Sequence, residues 1–361
     1  MATVARALAL LGSLAVALGC SSGSTATPPS EEASFAQACG TNRPLGTPPA
    51  PTTSVSGGGA SHWYSIVSLS LGERDLLTSK RSRTAWQCYG FDLDGVHSDQ
   101  NTDVARAKQC QRAAAAPKSM TLDGHGGIDN AFGHAILPIL QGLSPCLVDA
   151  SAPADADDEM LLRIDGDPTR DGANVGGALY VGRAAKLTPL GVGQAVAAAQ
   201  PMPVATFGSG YVADGYWVSN AAPNAVMPTP LMLGFEVFPI AWGSRACPTP
   251  HELRLPIRSP QLAVRGDGTS AVLAGYMPIA DLRASLVAWL EDSGVCGGSG
   301  LSDSILSLAS QAPDLVAGSP TLQDATKSCD AVSIGLGLTL REIAAPPTLL
   351  ELLPNTSHCQ P

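Results

Sequence analysis

Apolar and polar residues alternate at period two through much of the second half of the chain. Val332, Ile334, Leu336, Leu338 and Leu340 are separated by Ser333, Gly335, Gly337, Thr339 and Arg341. One face is apolar and the other small or polar, so the pattern predicts a half-buried strand. Leu253, Leu255 and Ile257 alternate with Arg254, Pro256 and Arg258, and the proline places that strand at a sheet edge or bulge. Residues 231–242 are apolar on both faces, with a change of phase at Val237-Phe238, as in a buried strand carrying a bulge. Residues 160–164, 178–181 and 272–277 add shorter strands. Before Asp94-Gly95, a strong hairpin-turn dipeptide, Tyr89, Phe91 and Leu93 form one face of a further strand, and Asp123-Gly124 repeats the turn signal.

Helical spacing is rarer. Asp281 stands as a cap before Leu282, Leu286, Trp289 and Leu290, and Gly294 follows as a stop. Residues 302–316 repeat the spacing with Ile305, Leu308 and Ala312, residues 130–143 form a third helix kinked at Pro138, and residues 102–116 a fourth. No fixed-period repeat is present. The fold class expected is mainly β within α+β: an antiparallel sheet or sandwich with a few peripheral helices, stabilised by disulfides. Residues 332–340 alone resemble a membrane-barrel strand, but one such segment beside so many cysteines is not expected to close a barrel.

The first twenty residues change the picture. Arg6 precedes an apolar run over residues 7–18, too short for the roughly 20 residues that span a bilayer, and small residues follow it, as in a cleaved export signal. Ala17-Leu18-Gly19-Cys20 resembles the lipobox of bacterial lipoproteins, with Ala17 where a branched aliphatic residue is more usual. That resemblance, confined to the signal, implies acylation of Cys20, which would become the mature N-terminus and be anchored by its acyl chains. Ser21 follows instead of the aspartate that marks inner-membrane retention in some bacteria, so the outer membrane is expected, at its periplasmic or cell-surface face.

Residues 1–19 are then the signal. Residues 20–60, rich in Ser, Thr, Pro, Gly and Ala, read as a flexible tether. Residues 61–150 form a lobe with Asp/Gly loops, and residues 151–361 a β-rich lobe, the two separate or continuous across the acidic stretch 151–159. Formal charge is −10, and loss of Arg6 (+1) takes it to −11, with no basic run in the mature chain longer than Lys80-Arg81-Ser82-Arg83. Nucleic acid is excluded as an expected partner. Membrane lipid, through acylated Cys20, and a protein or carbohydrate of unknown identity remain.

Apart from Cys20 there are eight cysteines: Cys39, Cys88, Cys110, Cys146, Cys247, Cys296, Cys329 and Cys359. An even set in an exported chain reads as up to four disulfides, and the absence of a Cys-x-x-Cys pair argues against a zinc ribbon or redox centre. Cys88 with Cys110 and Cys329 with Cys359 are the shortest closures within each half, although spacing does not choose among the pairings.

Two segments, 86–99 and 122–130, concentrate oxygen ligands. Asp92, Asp94, Asp99, Asp123, Asp129 and Asn130 are candidate calcium ligands, because a hard cation takes six to eight oxygens and glycine lets the backbone fold round it. Structural turns are the competing reading. An EF-hand beginning at Asp92 is rejected: Val96 stands at position five and His97 where glycine is required. The loop 165–174 is a further acidic turn. His97, His125 and His134 lie near the carboxylates without zinc-site spacing. Gly-x-Ser-x-Gly occurs only as Gly19-Cys20-Ser21-Ser22-Gly23 across the expected cleavage point, no Ser-x-x-Lys or Gly-Lys occurs, and the Gly-x-Gly stretches lack the last glycine of a dinucleotide fingerprint. Tyr211, Tyr216 and Trp217 around Asp214-Gly215 are read as packing at a hairpin tip.

The expected function is a cell-envelope lipoprotein, more a non-enzymatic binding or structural module with calcium-stabilised loops than an enzyme. The alternatives are an extracytoplasmic hydrolase using Asp92, Asp94, Asp129 and a histidine, and a carrier of an apolar ligand between sheet faces. Catalytic residues are not assigned, and no cofactor other than Ca²⁺ is expected.

Overall fold

The structure is a computed structural model that describes residues 37–40, 50–53, 55–73, 80, 82–98, 109–114, 116, 122–143, 159–183, 203–222, 224–231, 251–292, 294–318, 324–343, 347–350 and 359. The signal, Cys20, most of the tether, Asp99, Cys146, Cys247 and the predicted strand beyond Leu231 lie outside the described residues. No helix among those described is long and apolar enough to cross a membrane.

Sheet dominates, as the alternation predicts. Its strands are β1 (Val55–Ser56), β2 (Ser61–Ser70), β3 (Glu159–Asp165), β4 (Ala173–Arg183), β5 (Ala205–Ala213), β6 (Tyr216–Val218), β7 (Asn224–Leu231), β8 (His251–Arg265), β9 (Ser270–Pro278), β10 (Ala331–Ile343) and β11 (Thr348–Leu350). Pairing runs β4-β3-β2-β10-β9-β8-β6-β5, every step antiparallel, and β5 pairs back onto β4. The sheet therefore closes on itself as an up-and-down ring, which the sequence reading did not anticipate. The evidence for closure is in pairings, which no single strand's pattern contains. Residues 61–70 and 159–165 share this sheet, so β2 ties the first stretch of the chain to the second.

Alternation points one set of side chains into the ring. Trp217 stands opposite both Val212 and Val264, Leu162 opposite Leu179, and Leu262 opposite Leu273. All belong to one apolar core. The Trp217 ring fills the centre: its Nε1–H donates to the Val175 carbonyl at 2.9 Å, and Phe207 meets it edge-on at 6.3 Å. A Cβ on Gly177 would come within 2.7 Å of the indole, so glycine there makes room for it.

Beyond the ring, the first half of β8 pairs with β7, and after Ser259, at φ 46°, the register shifts as the second half joins β6. Leu253, Leu255 and Ile257 are buried; Pro256 pairs in register with Val226 of β7, and the irregularity falls just after it, between Arg258 and Gln261. Helix α1 (Leu137–Leu143) follows a π-helical turn, Phe132–Ile136. The break therefore precedes Pro138, whose ring would clash with the carbonyl one α-turn back; widening that turn relieves the clash. Helix α2 (Ile279–Asp292) buries Leu282, Leu286, Trp289 and Leu290, as expected. It starts two residues before the predicted cap, and Asp281 instead accepts from Arg258 Nε and Nη2. Helix α3 (Gly300–Ala309) is shorter than predicted, with Ser299 Oγ capping the Ser302 N–H. Residues 109–114 are not helical; Gln111 bridges to Ser328 in parallel.

Two expectations fail for one reason. Strand β10 is buried on both faces through Leu338 rather than half-buried, and residues 89–98 form irregular loop rather than a hairpin. That loop lies across the small face of β10. A Cβ on Gly335 would sit 2.0 Å from the Tyr89 carbonyl oxygen and 2.6 Å from Gly90 Cα. The Ser/Gly face selected as solvent-facing is a backbone-on-backbone contact, while Phe91 packs on Val218, Ala263, Val272 and Ala274 of the ring's outer face. Gly335→Ala should therefore displace the loop and lower the melting temperature by many degrees. Gly208→Ala in β5, with nothing within 4 Å of the added methyl, should leave it within about 3 °C, consistent with a backbone-entropy effect below about 1 kcal/mol. Thermal denaturation of both variants checks this.

Candidate functional site

The loop region is assembled from two short turns, Ala85–Cys88 and His125–Gly127, held by backbone bonds. Gly124 N–H donates to Ile128 O at 2.7 Å, Asp123 N–H to Ser98 O at 3.1 Å and Asp129 N–H to Phe91 O at 3.0 Å. This brings Asp92, Asp94 and Asp129 together, each offering an oxygen within 4.8 Å of the others. Asp129 and Asp94 are buried and Asp92 is exposed at the solvent end. Asp129 Oδ2 accepts from the N–H groups of Leu93 (2.6 Å) and Asp94 (3.2 Å). Asp92 Oδ1 accepts from Gly95 N–H at 2.7 Å and Asp94 Oδ1 from Val96 N–H at 2.8 Å.

The other predicted ligands have different roles. Asp123 Oδ2 accepts from the Ser98 N–H, leaving it beside the trio and not in it. Asp99 lies outside the described residues. Asn130 is a correction: its amide is spent on the backbone. Nδ2 donates to the carbonyls of Trp86 (3.2 Å), Tyr89 (3.1 Å) and Gly335 (3.2 Å), and Oδ1 accepts from the N–H groups of Gly133 (3.0 Å) and Gly335 (3.1 Å). Such a side chain has nothing left for a cation. The loop 165–174 is a turn between β3 and β4, in which Asp167 Oδ1 accepts from the Thr169 N–H and hydroxyl. At the β5–β6 hairpin tip Asp214 and Gly215 take φ 51° and 76°, and Tyr216 and Trp217 point to opposite faces, as expected.

Asp314, which the pattern of the sequence did not mark, joins the acidic group from the far side. Its Oδ1 accepts from the Ser333 N–H at 2.8 Å and its Oδ2 from the Ser333 hydroxyl, while Ser333 Oγ accepts from Ala131 N–H at 2.7 Å. Nothing in the sequence near Pro313-Asp314 signals this; the signal exists only once β10 and the loop are docked. Gln109 also contributes, donating through Nε2 to Ser98 Oγ.

Crowding five carboxylates into a largely buried space has a cost. Burial, with Asp92 and Asp314 adding repulsion, pushes Asp94 up to about 7 against the amide of Val96. Burial also pushes Asp123 up to about 8, with Asp94 and Asp314 raising it further and Arg112 opposing. Asp129 is pushed well above the carboxylate range by burial and then by Asp94, Asp123 and Asp314. Asp314 and Asp92 are raised too, burial leading in both.

Three histidines lie in this region, with different neighbours. The charge of His97 opposes the rise of Asp92. His134 stacks on Trp86 with centroids 4.2 Å apart, and its Nδ1 is buried without a hydrogen-bond partner among the described residues; burial, with Arg112, lowers its pKa. His125 has a ring nitrogen within 4.8 Å of the sulfurs of Cys39 and Cys88, but these are bonded to each other, so that triplet is closed to a metal.

Among the described residues the disulfides are Cys39–Cys88, Cys110–Cys329 and Cys296–Cys359. Neither shortest closure is used. The chain neighbours Cys88 and Cys110 each pair with a segment that must be held to the loop, the N-terminal stem and the entry to β10. No protein-family model, curated protein or solved structure matches the chain.

The raised carboxylates make the metal-free protein base-sensitive. Their folded-state pKa values lie above the unfolded value of about 3.9, so the folded state holds these protons more tightly. The stability they contribute is complete below about pH 4 and is lost as pH rises through about 7 for Asp94 and about 8 for Asp123. In EDTA the melting temperature should fall between pH 6 and 9, and Asp94→Asn should flatten that fall. A curve level or rising over this range would contradict the burial of these groups.

Proposed function

We propose that this protein is a cell-envelope lipoprotein, anchored through acylated Cys20, whose body is a non-catalytic binding or structural module with a calcium-stabilised acidic loop. The observation that carries the reading is the convergence of Asp92, Asp94 and Asp129 within 4.8 Å. Calcium binds oxygens at about 2.3–2.6 Å, so ligands on opposite sides of one ion lie about 5 Å apart, and this trio matches that span. The donor set is all oxygen and all carboxylate, suited to a hard cation and not to zinc or copper. The two backbone amides on Asp129 Oδ2 fix its carboxylate while leaving its other oxygen for the ion.

Electrostatics supports the same reading. Buried like charges are tolerated when a cation neutralises them, and a divalent ion would remove the need for the protons that otherwise hold the cluster together at neutral pH. Asp92, at the open end, would be the ligand through which the ion meets solvent or a partner. Its role would be to fix the shape of the loop against β10 and present a surface.

Two measurements test this. The full-length oxidised protein at pH 8 should melt several degrees higher in millimolar calcium than in EDTA, because ligand at 100 times its Kd adds about 2.7 kcal/mol. Asp92→Asn, at an exposed position, should remove most of that rise while leaving the EDTA value nearly unchanged. Equal melting temperatures with and without calcium would reduce the trio to turn-forming aspartates. For the anchor, cells fed labelled fatty acid should incorporate it into the wild-type chain, and Cys20→Ala should abolish the label and release the protein from the membrane fraction. Label persisting in that variant would refute lipidation at Cys20.

A further inference from the structure

The three disulfides of the described residues have different neighbours. Cys110 is buried and its partner Cys329 half-buried, with the Cys110 sulfur 3.3 Å from the Asp314 carbonyl, and the Cys359 sulfur lies 3.9 Å from the Glu291 carbonyl. Cys39–Cys88 alone among them has an imidazole alongside, a His125 ring nitrogen within 4.8 Å of both sulfurs. Cys39 is 4 % exposed, whereas Cys88 and His125 are half-buried. The placement is fixed by close backbone contact. A Cβ on Gly124 would lie 2.6 Å from the Gln87 carbonyl oxygen, so the turn carrying His125 is locked against the turn carrying Cys88.

We propose that Cys39–Cys88 is a thiol–disulfide exchange site whose substrate class is a dithiol, with His125 as the acid for the departing sulfur. A substrate thiolate attacks the Cys88 sulfur and forms a mixed disulfide. The Cys39–Cys88 bond breaks with its electron pair going to Cys39 Sγ, which takes the imidazolium proton of His125. The second thiol of the substrate then displaces Cys88 and closes the substrate's own disulfide. The dithiol is oxidised by two electrons, both cysteines are reduced, and its second proton ends on Cys88. Stabilising the leaving thiolate accelerates such exchange, and a neighbouring imidazolium does this.

Opening this bond unfastens the N-terminal segment from the loop region. The next described tie to the ring is at Val55, whose N–H donates to Gly172 O at 2.7 Å. From 39 to 55 is sixteen residues, a chain able to span at most about 55 Å. On the lipoprotein reading, reduction would therefore lengthen the reach of the body from its anchor; the exchange chemistry itself does not depend on that reading.

The full-length oxidised protein, treated with limiting dithiothreitol at pH 7, alkylated at intervals and mapped by mass spectrometry, gives the opening rate of each disulfide. In His125→Gln the rate at Cys39 and Cys88 should fall about a hundredfold, the lower end of a proton-transfer contribution, with Cys110–Cys329 and Cys296–Cys359 unchanged as internal controls. His125→Lys, which restores a charged donor, should stay within about threefold of wild type. An unchanged rate in His125→Gln, a parallel change at all three disulfides, or a loss in His125→Lys as large as in His125→Gln would each overturn the proposal.

Discussion

Strand β10 runs past the end of β2: its pairing with β2 begins at Gly337, so among the described residues the edge at 331–336 has no strand beside it, only the single bridge of Leu315 to Ala331. A buried, unpaired edge is among the most costly features a sheet can have, since each orphaned N–H or C=O forfeits its water without replacement. Side chains complete it here. Asn130 pairs with both the N–H and the C=O of Gly335, and the Asp314 carboxylate takes the Ser333 N–H, while the Asp314 and Leu315 N–H groups reach the Ala331 carbonyl. An amide and a carboxylate thus stand in for the missing strand. Everything on that side of the ring follows from how they are held.

The acidic loop is the scaffold that holds them. Asn130 follows Asp129, so the turn that fixes Asp129 against Leu93 and Asp94 also sets the Asn130 amide against β10. Asp314 reaches the same strand from the other direction and adds its charge to Asp94, Asp123 and Asp129. Edge capping and charge crowding are therefore one problem. Carboxylates are good acceptors for backbone N–H groups and poor neighbours for one another. A buried cluster of this kind is stable with protons, with a cation, or with both in competition. Arg112 relieves Asp123 and Asp314 in part, which leaves the trio at Asp92, Asp94 and Asp129 as the place where a divalent ion would have most effect.

Periodicity made the strands legible and their partners illegible. Period two at residues 332–340 identified β10, and the alternation of Leu253, Leu255 and Ile257 identified β8, because both are properties of one strand. The ring closure between β4 and β5 is a property of two, and the loop lying over Gly335 belongs to a segment more than two hundred residues away. Small residues on the polar face of β10 carry the same letters whether water or a backbone covers them. The candidate site was half legible for a similar reason. Oxygen-rich composition picked out Asp92, Asp94 and Asp129, but composition does not separate a ligand from a cap, so Asn130 was grouped with them. Asp314 escaped because its chemistry depends entirely on Ser333, which is adjacent in space alone.

Covalent bonds fall where this arrangement is weakest. The loop region has few apolar side chains with which to dock, chiefly Tyr89, Phe91, Ile128 and Leu93, and its backbone is irregular. Cys110–Cys329 joins it to the residue pair before β10, closing a separation of 219 residues, and Cys39–Cys88 joins it to the N-terminal stem across 49. In the chain-entropy relation, loops of these lengths correspond to about 4–5 kcal/mol each, taken singly. Contributions of that size match what an edge capped by two side chains would otherwise lack. The first bond secures the capping of β10 and the second the stem, and each joins a buried cysteine, Cys110 or Cys39, to a half-buried one, Cys329 or Cys88. Stability of the ring and attachment of the stem are thereby separated, so one disulfide can be exchanged without the sheet losing the contacts that complete its edge.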